Sequence, residues 1–357
     1  MHKKLQLLKW LTVGIILLFF ETGIAQAVQM NEKSLSLPAL DGKWLYVGGN
    51  GPGNYSRIQE AIDAACDGDT VFVYNDSSPY HEIVIINKSI RLIGEDTEST
   101  VIDGTGLGKH LINVLAGNIL ITGFTIQNAS GQWSYSGMAI ESANNIVVNN
   151  IFQQNSDAGI RLDSNYNVIQ GNRFYSNIWG IYIYVSSYNT ITRNSIGYNG
   201  DGIGFGGAFH NNCSFNTIYE NRRSGIELDW CNGNNTVYQN NIIENNFGIL
   251  LMLSSDNKFL QNNFIDNGVN ARFQRNIIYE EINKIYSATS HPDYLKDYHV
   301  LRLNFWDGNY WDKPRISAYP IFGRYGFPGW MTILNVFYFP NLINFDRHPA
   351  QEPYKIP

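Results

Sequence analysis

The sequence predicts an all-β solenoid, a single-stranded parallel β-helix, and three observations predict it. A repeat of about 22 residues runs from Asn145 to Asn267 with the consensus N-x-[IVF]-x-x-N-x-[IF]-x-x-N-x-x-G-[IM]-x-[ILF]. Its glycine-apolar pairs are Gly137-Met138, Gly159-Ile160, Gly180-Ile181, Gly202-Ile203, Gly225-Ile226 and Gly248-Ile249, spaced 22, 21, 22, 23 and 23. A fixed period in this range marks units that bury their apolar face only by stacking on neighbours. Within a unit the apolar residues sit at even offsets, as in Ile181-x-Ile183-x-Val185 and Ile226-x-Leu228, which is strand periodicity. With 16% charged residues, 14% aromatics and 33 Gly, and with Lys and Glu scarce beside Asn, the composition suits short strands and tight turns. Leucine-rich repeats would put Leu at nearly every apolar slot and helical repeats would show a 3.6 period; neither does.

Residues 1–27 read as a secretory signal peptide. His2, Lys3, Lys4 and Lys9 precede the largely apolar run Trp10 to Phe20, and Ala25-Gln26-Ala27 is a small-residue cleavage signal. That run is short for a span of ~20 residues. Export and no membrane span after signal removal are therefore expected. Residues 28–273 are read as the β-helix. It opens with a cap over about 44–70: a strand Trp44 to Val47, a loop Gly48 to Asn54, then an amphipathic helix. Ile58, Ala61, Ile62 and Ala65 follow the i, i+3, i+4, i+7 rule, Ser56 is the expected N-cap, and Cys66 is expected on the buried side. One helix before a run of strands covers an open solenoid end. Less regular strands follow at Val71-Val73, Ile83-Ile86, Ile90-Ile93, Val101-Ile102, Leu111-Val114 and Ile119-Ile126.

In the strict repeat one irregularity stands out: Asn216 lies 27 residues after Asn189, and Asn235 follows after 19. This predicts a loop bulging out near Gly206 to Ser214, and such insertions tend to sit on the binding face. From Gln274 the repeat stops, and 274–357 is read as a capping region rich in aromatics and Pro. It holds Asn304-Phe305-Trp306-Asp307-Gly308-Asn309-Tyr310-Trp311-Asp312 and the apolar stretch Ile333 to Phe339, expected to pack over the last coil. Asn recurs because it tolerates left-handed turns and because stacked amides exchange hydrogen bonds from coil to coil.

The net charge of -6 leaves no basic face, so nucleic acid is excluded as an expected partner. Cys213 and Cys231 follow the glycine-apolar strands of adjacent units, which leaves a disulfide between them open. Six N-x-S/T sequons, beginning at Asn54, Asn75, Asn87, Asn128, Asn212 and Asn234, agree with export.

If the residue after each repeat glycine points inward, two outward files run down one sheet. The first is Ala139, Arg161, Tyr182, Gly204, Glu227, Leu250; the second is Glu141, Asp163, Tyr184, Gly206, Asp229, Met252. At ~4.8 Å per coil the stripe spans roughly 25 Å. Gly204 and Gly206 leave a depression bordered by His210 and Trp230. Aromatics with interspersed carboxylates suit sugar faces and hydroxyls. Arg161, Asp163, Tyr182, Tyr184, Trp230 and His210 are the candidate binding residues, and Glu227 with Asp229 the candidate catalytic pair. As i, i+2 neighbours on a strand, their α-carbons lie ~6.5–7 Å apart, a spacing useful for two-carboxylate glycoside hydrolysis. The competing reading is an ordinary solvated strand face.

Ile58-Gln59-Glu60-Ala61-Ile62 through Gly68-Asp69-Thr70-Val71, the Asn/Gly-Ile repeats and the Asn309-Tyr310-Trp311-Asp312 tail resemble the right-handed parallel β-helix proteins of the NosD-like, pectin-lyase-like superfamily. The segment Leu45 to Tyr55 is similar to the opening of exported archaeal members. The resemblance covers essentially the whole mature chain. It implies a right-handed coil and leaves open a polysaccharide lyase, hydrolase, epimerase, binding protein or copper-enzyme accessory factor. In a lyase, Asp163 would bind Ca²⁺ and Arg161 take a proton from carbon. The Asp-Asp pair and Gly-His-Gly of the galacturonan hydrolases are missing, and no Cys/Met/His cluster suggests a soft copper site. The expected function is thus an exported protein that binds a polysaccharide or surface glycan, with no resident cofactor. A lyase or hydrolase on the same face, and a purely structural surface protein, are the alternatives.

Overall fold

The computed structural model describes residues 42–131, 135–231, 233–275, 304–312, 319–325, 343–346 and 348–356. The expected leader and the stretch Ile333 to Phe339 lie outside them. The chain is a right-handed parallel β-helix of about 10 turns with very little helix. Among the described residues, sheet A has 11 strands, from β1 (Trp44–Val47) to β28 (Phe305–Asp307). Sheet B has 9, from β5 (Val101–Asp103) to β29 (Tyr310–Trp311), and sheet C has 11, from β3 (Val84–Ile86) to β31 (Ile343–Asp346). Every pairing is parallel except the last, β30 (Tyr319–Tyr325) with β31. No helix among the described residues is long and apolar enough to cross a membrane.

The period of the sequence becomes vertical files because equivalent residues pair from coil to coil. In sheet A, Ile121, Val147, Ile169, Ile191, Cys213, Val237 and Phe259 stack in register and are fully buried. Phe152, Phe174, Ile196, Ile218, Ile242 and Phe264 do the same in sheet B. Each buried Ile or Phe adds about 1.5–3 kcal/mol. Cys213 thus takes the place that Ile191 and Val237 hold in adjacent coils. It and Cys231 are free thiols, which settles the open disulfide, and Cys66 is exposed rather than buried, because the helix ends at Ala64. Ile119-Ile126, expected as one strand, is two: β7 (Leu120–Thr122) in sheet A and β8 (Thr125–Gln127) in sheet B. Gly123, at φ 85, turns the corner between them.

Asparagine holds the corners, by a division of labour the sequence reading had merged. The left-handed residue is the one before each repeat asparagine, and it is Arg193, Phe215, Glu220 or Gln239 as readily as Asn144 or Asn149. Each such backbone costs roughly 1–2 kcal/mol outside Gly. The following asparagine is buried and offsets that cost. The backbone N–H of Asn172 donates to Asn194 Oδ1 at 2.9 Å, that of Asn194 to Asn216 at 2.9 Å, and that of Asn216 to Asn240 at 2.9 Å. Asn194 Nδ2 meanwhile donates to Asn216 Oδ1 at 3.0 Å and to the Ile169 carbonyl of the coil before at 2.9 Å.

These ladders also correct the expected bulge. Asn189 pairs with Asn211, 22 residues on, and not with Asn216, which belongs to the neighbouring ladder. Asn211 then pairs with Asn235, a step of 24. The extra residues lie on the corners before Ser224 and after Asp229, so Gly206 to Ser214 keeps the regular path.

Both ends are closed by side chains that replace missing neighbours. The α1 helix (Ile58–Ala64) has no side-chain bond from its N-cap, Arg57. Instead of Ser56, the buried Glu82 carboxylate accepts from the N–H groups of Ile58 (2.8 Å) and Gln59 (3.0 Å). Lys88 Nζ donates to the carbonyls of Ile62, Asp63 and Ala65 at 3.0, 2.7 and 2.7 Å. An anion at the start and a cation at the end complement the helix dipole.

At the far end the coil does not stop at Gln274. Its strand, β27 (Val269–Arg275), reaches Arg275, and sheets A and B resume at Phe305 and Tyr310. Asn304 and Asn309 extend two ladders across steps of 47, and Trp306 and Trp311 stack on Phe259 and Phe264 at 4.1 and 4.4 Å. The expected capping tail therefore contributes a further coil.

Candidate functional site

Sheet C carries the candidate face. Met138, Ile160, Ile181, Ile203, Ile226 and Ile249 are fully buried, so the residue after each repeat glycine points inward as expected. The next residue faces out, and Ala139, Arg161, Tyr182, Gly204, Glu227 and Leu250 pair one above another. Tyr184, Gly206, Asp229 and Met252 form the second file.

The two files are less open than the pattern implies. A Cβ on Gly204 would lie 2.5 Å from the Trp179 ring and 2.8 Å from Tyr182, and one on Gly206 would lie 2.6 Å from the Tyr182 hydroxyl. The glycines leave room, and these two rings fill it. No depression remains, and Tyr182 is half-buried packing while Tyr184 stays 44% exposed. Trp179, Tyr182 and Tyr184 form a continuous band with centroids 5.1 and 6.1 Å apart. Arg161 lies over Tyr184 at 5.3 Å and is bonded through Nε to Asp163 at 2.8 Å. Arg223 lies over Trp179 at 5.3 Å at the opposite edge.

Glu227 and Asp229 share the strand β21 (Ser224–Asp229) but not the same surroundings. Glu227 is buried, 5% exposed, beneath Arg223. Its Oε2 stands 2.7 Å from Arg223 Nη2, an ion-pair contact whose angle falls short of a hydrogen bond. Burial pushes the Glu227 carboxyl up to about 7; Arg223 opposes this, Asp201 and Asp229 add to it, and Ser224 lowers it slightly. Burial also raises Asp229, against a bond from the Trp230 N–H. Asp201 accepts Arg223 Nε on both oxygens at 2.9 Å, together with the N–H and hydroxyl of Ser224. Glu227 is thus a buried carboxyl facing Arg223 rather than half of an exposed carboxylate pair.

Sequence reasoning missed Trp179, Asp201 and Arg223. Their signal was available: Asp201 and Arg223 are opposite charges one coil apart, 22 residues. His210 belongs elsewhere. Its ring stacks on Tyr188 at 5.0 Å, and Tyr188 on Tyr166 at 5.1 Å, in a column along the corner between sheets C and A. Trp230 follows β21 on the corner, at φ 57, and is 38% exposed.

The sequence profile of a family described as "Periplasmic copper-binding protein (NosD)" matches residues 62–316. Among the described residues, no group of three or more His, Cys, Asp and Glu is placed to hold a metal ion, copper or Ca²⁺. Cys213 and Cys231 are thiols that burial pushes up to about 12, Cys213 in sheet A and Cys231 on the corner after β21. Copper of the soft type needs converging thiolate, thioether or imidazole donors, and the described residues do not fit it.

One curated relative, "Probable pectinesterase/pectinesterase inhibitor 6" of Arabidopsis thaliana, is 29% identical over 119 residues, covering 29% of this chain and 22% of its own length. The chain spans about a fifth of that relative. Two solved structures are similar in outline. The A-module of the Azotobacter vinelandii mannuronan C-5 epimerase AlgE4 is 18% identical (TM-score 0.45, 61% of this chain and 76% of the other). Pectate lyase Pel9A is 15% identical (TM-score 0.43, 65% and 74%). With its profile matching most of the repeat and the tail strands that continue it, the chain belongs to the NosD family.

Proposed function

We propose that this is an exported glycan-binding protein whose contact surface is the outer face of sheet C around Tyr184, Trp230, Arg161, Asp163 and Asp229. The observation that carries the reading is the aromatic band itself. Tyr184 and Trp230 stay exposed on a rigid stack of strands, beside a guanidinium and carboxylates already fixed in place. Aromatic faces pack against the C–H surfaces of sugar rings at low entropic cost, and pre-set polar groups take the hydroxyls. Tyr182 flanks Tyr184 on the same strand, their rings stacked at 6.1 Å, and His210 stands outside this surface.

Affinity electrophoresis against a polysaccharide panel tests it. The double substitution Tyr184→Ala/Trp230→Ala should weaken retention about tenfold or more, as aromatic anchors do. Unchanged retention would remove the surface from consideration. A second reading, a lyase or hydrolase, is favoured by one observation: burial raises the Glu227 carboxyl to about 7, so that it can both hold and release a proton near neutral pH. It requires new reducing ends or unsaturated, ultraviolet-absorbing products that vanish in Glu227→Gln.

A further inference from the structure

Resting on the glycan-binding reading, we infer that the polymer this face takes is uncharged, a neutral hexose or N-acetylhexosamine chain rather than a polyuronate. The argument is the bookkeeping of charge across the aromatic band. A uronate-binding face needs guanidinium or ammonium groups free to meet one carboxylate per sugar. Here the two cations within the band are already engaged inside the protein. Arg161 gives Nε to Asp163 at 2.8 Å, and Arg223 gives Nε to both oxygens of Asp201 while its Nη2 faces Glu227 at 2.7 Å.

The anions outnumber them. Asp163, Asp201 and Asp229 face two guanidiniums, and Glu227 adds further negative charge as it ionises. A polyanion laid along Tyr184 and Trp230 meets a surface of its own sign, on which each guanidinium is already charge-paired. Arg222 stands on the corner outside the band. Arg272 lies on the same file two coils beyond Glu227, ~10 Å away, over the Phe247 ring at 5.8 Å. Neither reaches the aromatic platform.

An uncharged chain meets no such opposition. The Asp163 carboxylate, its side chain 27% exposed beside Arg161, is an acceptor that a sugar hydroxyl suits.

The test is affinity electrophoresis and retention of the whole chain on three sets of polymers. They are neutral (a β-1,4-glucan, a galactomannan, a xylan), uronic (alginate, polygalacturonate) and cationic (chitosan). Retention by a neutral polymer, unchanged between about 50 mM and 0.5 M salt, is expected, because screening acts on charge contacts alone. In Asp163→Asn, which releases Arg161, alginate retention should rise several-fold. Salt-sensitive retention by the uronic or cationic set alone would overturn the inference while leaving the binding face standing. Retention by none of the three would remove the binding reading itself.

Discussion

The Glu227 carboxylate lies 2.7 Å from the Arg223 guanidinium, which is itself held on its other edge by Asp201. One cation therefore serves two buried carboxylates, and Glu227, which Arg223 meets without a hydrogen bond, is left partly uncompensated. Its folded-state pKa stands at about 7, above the ordinary 4.5, so the native state keeps a proton that the unfolded chain releases. The associated stability is complete below about pH 4.5 and is lost as pH rises to 7. The full swing is at most about 3 kcal/mol. Glu227→Gln should therefore be more stable than wild type at pH 8 and match it near pH 4.5. A thermal-melt difference that does not change with pH would contradict this.

Asp103 behaves in the opposite sense. Burial alone would raise it, but bonds from the Thr105 hydroxyl and N–H, Gln127 and Asn128 outweigh burial and hold it at about 2, below the ordinary 3.8. This contribution is present above pH 3.8 and lost as pH falls through 2. It is worth roughly 2 kcal/mol. Asp103→Asn should lower the melting point at pH 7 and lose that deficit in acid, as read by a pH series of melts.

Asp346 ends two features at once. Its Oδ2 accepts the N–H of Asn309 at 2.9 Å, Asn309 Nδ2 at 3.0 Å and Trp311 Nε1 at 2.9 Å, where an interior rung would have the next asparagine. Asp346→Ala removes an acceptor shared by three buried N–H groups and should cost about 3–5 kcal/mol. Asp346→Asn, the residue used on every interior rung, should cost less than half of that. Chemical denaturation separates the two, and equal losses would refute the substitution argument.

An interior rung should show its cost locally. Asn194→Ala removes the acceptor for the Asn172 N–H and a donor to Ile169, all buried, and should cost about 3 kcal/mol. Hydrogen exchange should rise first at the Asn172 and Arg193 corners. Uniform acceleration along the whole coil would show that the ladder is not a local clamp.

The capping helix depends on two charges that it does not contain. Glu82→Gln and Lys88→Met should each destabilise it by about 1–2 kcal/mol. Amide exchange at Ile58 and Gln59 should respond to the first. Protection of the repeat coils should stay unchanged in both.

The legible part of this protein was whatever depends on period. A 22-residue repeat with apolar residues at even offsets is enough to place Ile160, Ile181, Ile203 and Ile226 in one buried file and Arg161, Tyr182 and Glu227 in the file outside it. Composition alone made Asn the structural residue and ruled out a basic face. Errors arose where two equivalent patterns compete. With three asparagines per coil, pairing Asn189 with Asn216 instead of Asn211 puts at Gly206 to Ser214 an insertion that lies on the corners flanking β21.

The site was legible as a set of files and not as a surface. Whether Gly204 and Gly206 make a hollow depends on where the Trp179 and Tyr182 rings lie, and a rotamer has no signature in residue spacing. Ser56 looked like the cap by proximity, whereas Glu82 reaches the helix from another coil.

Local periodicity, then, was enough by itself to specify a stacked β-helix, its inward and outward rows and the corner role of Asn, because strand alternation and coil repeat are properties of the chain. Only the folded molecule decided that Glu227 is buried under Arg223, that Tyr184 is the exposed ring, and that the tail rejoins the coil at Asn304. Those outcomes turn on desolvation and on contacts across coils, both set by residues distant in sequence.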